Sequence, residues 1–161
     1  MMLFAQGLSP ALRRAGVAIA VAAILAPLSA FADENRLTLH TGTGDYSFNV
    51  EVVDTDATRA KGLMYVTELA EDAGMLFDFK DERDVSFWMR NTFIPLDMIF
   101  VDANGIVKNV HVNAHPHDPT GIPSEGPVQY VLEIPGGRSV EIGLKPGDKM
   151  DHDRIAVPAA N

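Results

Sequence analysis

The chain has 161 residues, with 13 basic and 22 acidic side chains, a net charge of −9 and no cysteine. Such an acidic balance repels phosphate backbones and anionic headgroups, which argues against nucleic-acid binding. Without thiols there is no disulfide framework, no thiol nucleophile and no zinc–thiolate site.

Residues 1–32 predict a secretory leader. Arg13 and Arg14 are its only charges, an apolar run covers 15–27, and Ala30-Phe31-Ala32 forms an A-x-A cleavage signature. The run is short for a membrane span of about twenty residues. The expectation is a signal peptide cut after Ala32, with no stable membrane insertion afterwards and a periplasmic or secreted product. That product, 33–161, has the length of a single globular domain. Losing Arg13 and Arg14 takes its net charge to −11.

Residues 36–40 (RLTLH) alternate apolar and polar side chains and predict a strand. A turn over 41–45 leads to a second alternating run, 46–53, and the two read as a hairpin. Asp54 or Asp56 offers an N-cap, and Ala57, Ala60, Leu63 and Met64 recur at helical spacing, so 55–64 predicts one short amphipathic helix. Gly74 introduces a strand over 75–79 (MLFDF), 80–84 (KDERD) reads as a charged turn, and 85–90 (VSFWMR) as a further strand. Residues 91–95 form an irregular bend, because Ile94 before proline is pushed towards extended geometry. Strands over 97–101 and 106–112 flank Asp102-Ala-Asn-Gly105, a hairpin-turn signal. The longest loop, 115–127, carries His115, His117 and four prolines. A strand over 129–134, a break at Pro135-Gly-Gly137, a short helix or turn over 139–144 and a last strand near 150–156 complete the chain. Many short strands with one or two helices predict an α+β fold, mostly antiparallel, with a partly closed barrel as one form of it.

Several phrases stand out together: Arg59-Ala-Lys-Gly-Leu-Met64, Gly74-Met-Leu-Phe77, Ser86-Phe-Trp-Met-Arg-Asn-Thr92 followed by Ile94-Pro-Leu-Asp97, Tyr130-Val-Leu-Glu133, and Gly147-Asp148. Over about 48–150 this series resembles the domain-of-unknown-function family 192. The resemblance implies an exported or membrane-attached, compact, β-rich domain. It carries no activity over to this chain.

Three groups of side chains are candidates for a site. Along 85–92, alternation puts Phe87, Met89 and Asn91 on one face and Trp88, Arg90 and Thr92 on the other, so this strand is expected to be covered on both sides. Trp88 is then either a platform for a ligand ring, with Arg90, Asn91 and Thr92 as polar fingers, or a core residue, which packing favours. Asp97 and Glu133 are acids in apolar runs, where an acid is either paired or shifted upward in pKa. Arg59 is their natural partner. The two acids either divide into acid and base in one pocket, as a hydrolase or lyase requires, or join Arg59 in a buried network that fixes the fold. The network is preferred, because structural ion pairs also perturb pKa values. Finally, His111, His115, His117 and Asp118 gather within eight residues. That composition suits copper, zinc or nickel, but the spacing matches no ligand signature, and a solvated loop is the default. Met64, Met75, Met89, Met98 and Met150 read as core filling. No G-x-S-x-G elbow, P-loop, G-x-G-x-x-G or H-E-x-x-H is present.

The sequence thus favours a periplasmic ligand-binding or accessory module without catalysis or cofactor. Its expected site is Arg59, Trp88, Arg90, Asn91, Thr92, Asp97 and Glu133, for a small molecule or envelope component such as a glycan. One alternative is a carboxylate-dependent hydrolase or lyase on Asp97 and Glu133. A third, behind both, is a metal-handling protein on the 111–118 cluster.

Overall fold

In a computed structural model of the chain, residues 35–155 are described, and the expected leader lies outside them. Alternation works as it should at the start. Leu37 and Leu39 of β1 (Arg36–Thr41) and Phe48 and Val50 of β2 (Gly44–Val53) turn inward from an antiparallel hairpin. A crossover carrying α1 (Asp56–Lys61) leads to β3 (Ala73–Arg83), which runs parallel to β2. Then come β4 (Ser86–Phe87), β5 (Leu96–Val101), β6 (Val107–Ala114), β7 (Ile122–Pro123), β8 (Val128–Pro135), α2 (Arg138–Glu141) and β9 (Lys149–Asp151). Seven strands form one sheet in the order β6-β5-β8-β3-β2-β1-β9, and β4 pairs with β7 in a small second sheet. Apart from β2–β3, the paired strands are antiparallel.

The central strands are covered on both faces, and every residue of β5 is buried. Leu76, Ile99, Leu132 and Ile134 face one core, together with Leu37, Leu39 and Met150. Met75, Phe77, Met98, Phe100 and Val131 face the other, together with Leu63 and Met89. The sheet curls so that its two edges touch at one end. Ile106 bridges Lys149, the Val107 N–H donates to the Asp148 carbonyl at 2.9 Å, and the Met150 N–H donates to the Gly105 carbonyl at 2.7 Å. Gly105 has φ +82° there, and a Cβ on it would collide with the Met150 carbonyl.

The expected mostly antiparallel, partly closed β fold is therefore the fold observed. Several elements differ from their sequence reading. Thr55, not an aspartate, caps α1, because its hydroxyl and that of Thr58 satisfy each other's backbone N–H groups. The helix ends at Lys61 and buries no residue, so Leu63 reaches the core from the loop beyond it, with the half-buried Met64 beside it lining a cavity. The charged 80–84 segment is mostly strand, since β3 runs past the core edge to Arg83 with an irregularity where Lys80 takes φ +68°. The 85–90 run is strand only at Ser86–Phe87. Its backbone then turns into a loop, with the Met89 N–H bonded to the Asp118 carbonyl at 2.8 Å. The last strand is also short, Lys149–Asp151.

Candidate functional site

Glu133 lies in the middle of β8, with Met75 of β3 on one side and Met98 of β5 on the other. It is 4% exposed, and no side chain or backbone group among the described residues gives its carboxyl a hydrogen bond or ion pair. Burial alone pushes this acid up to about 8, because no charge or donor offsets the loss of water.

The carboxyl lines a cavity of about 270 Å³. Its walls are mostly apolar: Leu63, Met64, Phe77, Phe79, Phe87 and Trp88. Phe87 is the hinge of this wall. It meets Phe77 edge-to-face at 4.9 Å and Phe100 at 6.0 Å, and the short β4–β7 ladder holds it there. The next residue, Trp88, therefore leaves the sheet and stands half-exposed at the cavity mouth, with the Arg90 guanidinium 5.4 Å from its ring centre. The core reading of Trp88 is thus corrected. The side chain swallowed at this point is Met89, fully buried one residue on.

Thr92 is nearly buried and also lines the cavity. Its hydroxyl takes no partner among the described residues. Asn91 adopts φ +60°, its carbonyl accepts the Tyr65 N–H at 2.9 Å, and its amide lies 4.0 Å from the Met64 sulfur. Tyr65 and His117 are left-handed as well, and Phe93 packs between their rings at 5.9 and 5.3 Å. Three loops are thus pinned together beside the mouth at backbone conformations costly for residues with side chains.

Arg59 lies on the cavity rim but does not pair with either expected acid. Its guanidinium donates to Asp56 at 2.6 Å and to the Asp78 carbonyl at 2.7 Å, and lies over the Phe79 ring. Asp97 is absent from the cavity altogether. Its register partner is Ile134, so it faces the opposite side of the sheet from Glu133. There it accepts the backbone N–H groups of Asn113, Gly137 and Ser139, each at 2.7 Å, and the Ser139 hydroxyl at 2.5 Å. This acid fastens α2 to the sheet, and the expected Arg59–Asp97–Glu133 network does not form.

His111, His115 and His117 are exposed. Asp118 accepts the Thr120 N–H at 2.8 Å, and the Thr120 hydroxyl, followed by this N–H, lowers its pKa. Among the described residues no three His, Asp or Glu side chains converge as metal ligands would. A larger hollow of about 680 Å³ opens beside Asn35, Asn49, His152 and Arg154, but it holds no buried carboxylate. Sequence reasoning missed the walls of the Glu133 cavity, Leu63, Met64, Phe77, Phe79 and Phe87. An apolar side chain reads the same from sequence whether it fills a core or borders a cavity. Their one legible signal was an acid among the apolar residues of the strand they surround.

The family model of DUF192, described as an uncharacterized ACR, matches residues 38–152. No curated protein matches the chain. A protein of unknown function from Novosphingobium aromaticivorans is 45% identical, with a TM-score of 0.71 over 72% of this chain and 83% of that one. A putative transcription regulator from Sinorhizobium meliloti is 42% identical, with a TM-score of 0.70 over 72% of this chain and 91% of that one. The family match covers both the phrase that places Trp88 and the one that places Glu133, and the chain belongs to DUF192.

Proposed function

We propose that the chain is an exported ligand-binding module that takes a small molecule into the cavity over Glu133, with Trp88 at its mouth. One observation carries this reading: a carboxyl group that is 4% exposed and without a partner lines a cavity opening beside a half-exposed tryptophan. An unpartnered buried acid is costly to the fold, and perturbed acids of this kind concentrate at functional sites. Apolar walls with a few converging polar groups are the usual build of a small-molecule site, and about 270 Å³ suits a compact ligand. The export half of the proposal rests on the leader pattern at 1–32.

The hydrolase reading needs a second carboxyl group in the same cavity. Asp97 is on the other face of the sheet and fully satisfied, so binding is the better-supported function.

A thermal-shift screen of the purified protein against envelope sugars, muropeptide fragments and small amines tests the binding site. A stabilising compound whose effect disappears on Trp88→Ala or Glu133→Gln, in a variant that stays folded, supports it. Hits indifferent to both substitutions, or none at all, would sink it. Export is tested by fractionating cells that make the full chain. A shortened product in the periplasm is expected, and an uncut cytoplasmic one would contradict it.

A further inference from the structure

The cavity over Glu133 holds a buried carboxyl that no cation or donor among the described residues contacts. On the cavity face, β3 presents Met75, Phe77 and Phe79, and β5 presents Met98 and Phe100. None of these can donate a hydrogen bond to the carboxyl. Two cations, Arg59 and Lys61, are among the lining residues, but neither bonds the Glu133 carboxyl. Arg59 is held by Asp56 and the Asp78 carbonyl, Lys61 is exposed on the end of α1, and Arg90 lies against the outside of Trp88. Phe77, Phe87 and Trp88 border the same space.

Resting on the ligand-binding reading above, we infer that the ligand is a small organic ammonium ion. It is a primary or secondary amine on a compact apolar or aromatic body, with its N–H groups donating to Glu133. The ammonium supplies the charge-assisted donor that the carboxyl lacks. Aromatic faces attract cations, most strongly where water is excluded. A neutral ligand, such as a carbonyl compound, would accept a hydrogen bond from the protonated acid and gain nothing from the electron-rich rings.

The two ligand classes differ in the sign of their pH dependence. With the acid raised to about 8, the empty site carries a proton at neutral pH. Seating an ammonium expels that proton, so amine affinity climbs towards tenfold per pH unit up to about 8 and then levels until the amine itself deprotonates. A carbonyl ligand shows the reverse, constant affinity below that point and weakening above it.

The test titrates the purified protein with benzylamine and phenethylamine, and with benzyl alcohol and acetophenone as neutral counterparts. Trp88 emission and calorimetry in two buffers of different ionisation heat are read on either side of the Glu133 transition. The expected result is amine binding that releases close to one proton at neutral pH, tightens with pH, and weakens by about tenfold or more in Glu133→Gln. That variant keeps the shape of the side chain and removes its charge. If the neutral probes bind as well as the amines, alike in wild type and Glu133→Gln and without proton release, the ammonium inference fails while the cavity remains a ligand site. If no probe binds, both readings fail. Stabilisation by copper(I) instead, lost on Met75→Leu or Met98→Leu, would overturn the ammonium in favour of a soft-metal site.

Discussion

Asp97 and Glu133 stand on adjacent strands one register step apart and point to opposite faces of the same sheet. Both are buried acids in apolar runs, yet one is saturated with donors and the other has none. The pair separates the two things a buried carboxyl can do, fastening a fold or waiting for a ligand.

Asp97→Ala leaves three backbone N–H groups and the Ser139 hydroxyl without their acceptor, those of Ser139 fully buried. The expected cost is roughly 3–5 kcal/mol, since each buried donor left unpaired is expensive. Urea unfolding measures it. A loss below about 1 kcal/mol would mean that α2 re-docks without its anchor.

Glu133→Gln should act in the opposite direction. The folded acid titrates at about 8 against 4.5 for an unperturbed one, so the native state holds a proton that the unfolded chain has released. Stability is full below the unfolded value, falls as pH rises between the two, and is flat above. Removing the ionisable group removes that slope and stabilises the protein above the folded value by roughly 3–5 kcal/mol. Unfolding free energies of both proteins at acid and alkaline pH check the sign. A wild-type protein that gains stability through this window would contradict it.

His40 adds a smaller slope of the same sign. Asp45 at 2.8 Å and then Asp151 at 3.0 Å raise its pKa and tie the end of β1 to β2 and β9. Its contribution is complete below the usual histidine value and is lost as pH rises through the raised one. The side chain is more than a third exposed, so the effect stays under about 1 kcal/mol. His40→Asn in the Glu133→Gln background should flatten what slope remains near neutrality.

Trp88 and Met89 should respond in opposite ways to truncation. Trp88→Ala removes a half-exposed side chain and should shift stability by less than about 1 kcal/mol. Met89→Ala empties a fully buried position and should cost about 2–5 kcal/mol. Trp88 is the only tryptophan in the chain, so its emission reports the cavity mouth without interference. Red-shifted, quencher-accessible emission is expected from the free protein. A blue-shifted, shielded spectrum would put the ring in the core.

The sheet was legible where alternation and burial coincide, as at Leu37, Leu39, Phe48 and Val50, and where Asp102–Gly105 announced a turn. It failed along 85–90 because the alternation of Phe87, Trp88, Met89 and Arg90 suits a strand, while the backbone leaves the sheet after Phe87 to meet the 115–118 loop. Glu133 was legible as an unusual acid. Its difference from Asp97 was not, because most of the donors that satisfy Asp97 come from Gly137 and Ser139, forty and more residues along the chain. Local sequence records that a carboxyl is buried and says nothing of what a distant loop will bring to it. The parallel β2–β3 pair escaped for a related reason, since hairpin signals speak only for consecutive antiparallel strands.

The contact between Gly105–Val107 and Asp148–Met150 orders events in time. It joins segments more than forty residues apart, and β1 also takes its outer neighbour from β9 near the end of the described chain. During synthesis β1 and its hairpin partner emerge early and wait with one edge bare until β9 is made. The β1–β9 pairing, which joins residues more than a hundred positions apart, spans the widest sequence separation among the paired strands and is therefore expected to be slow to find. Until β9 pairs, the outer edge of β1 is a bare strand edge open to wrong partners.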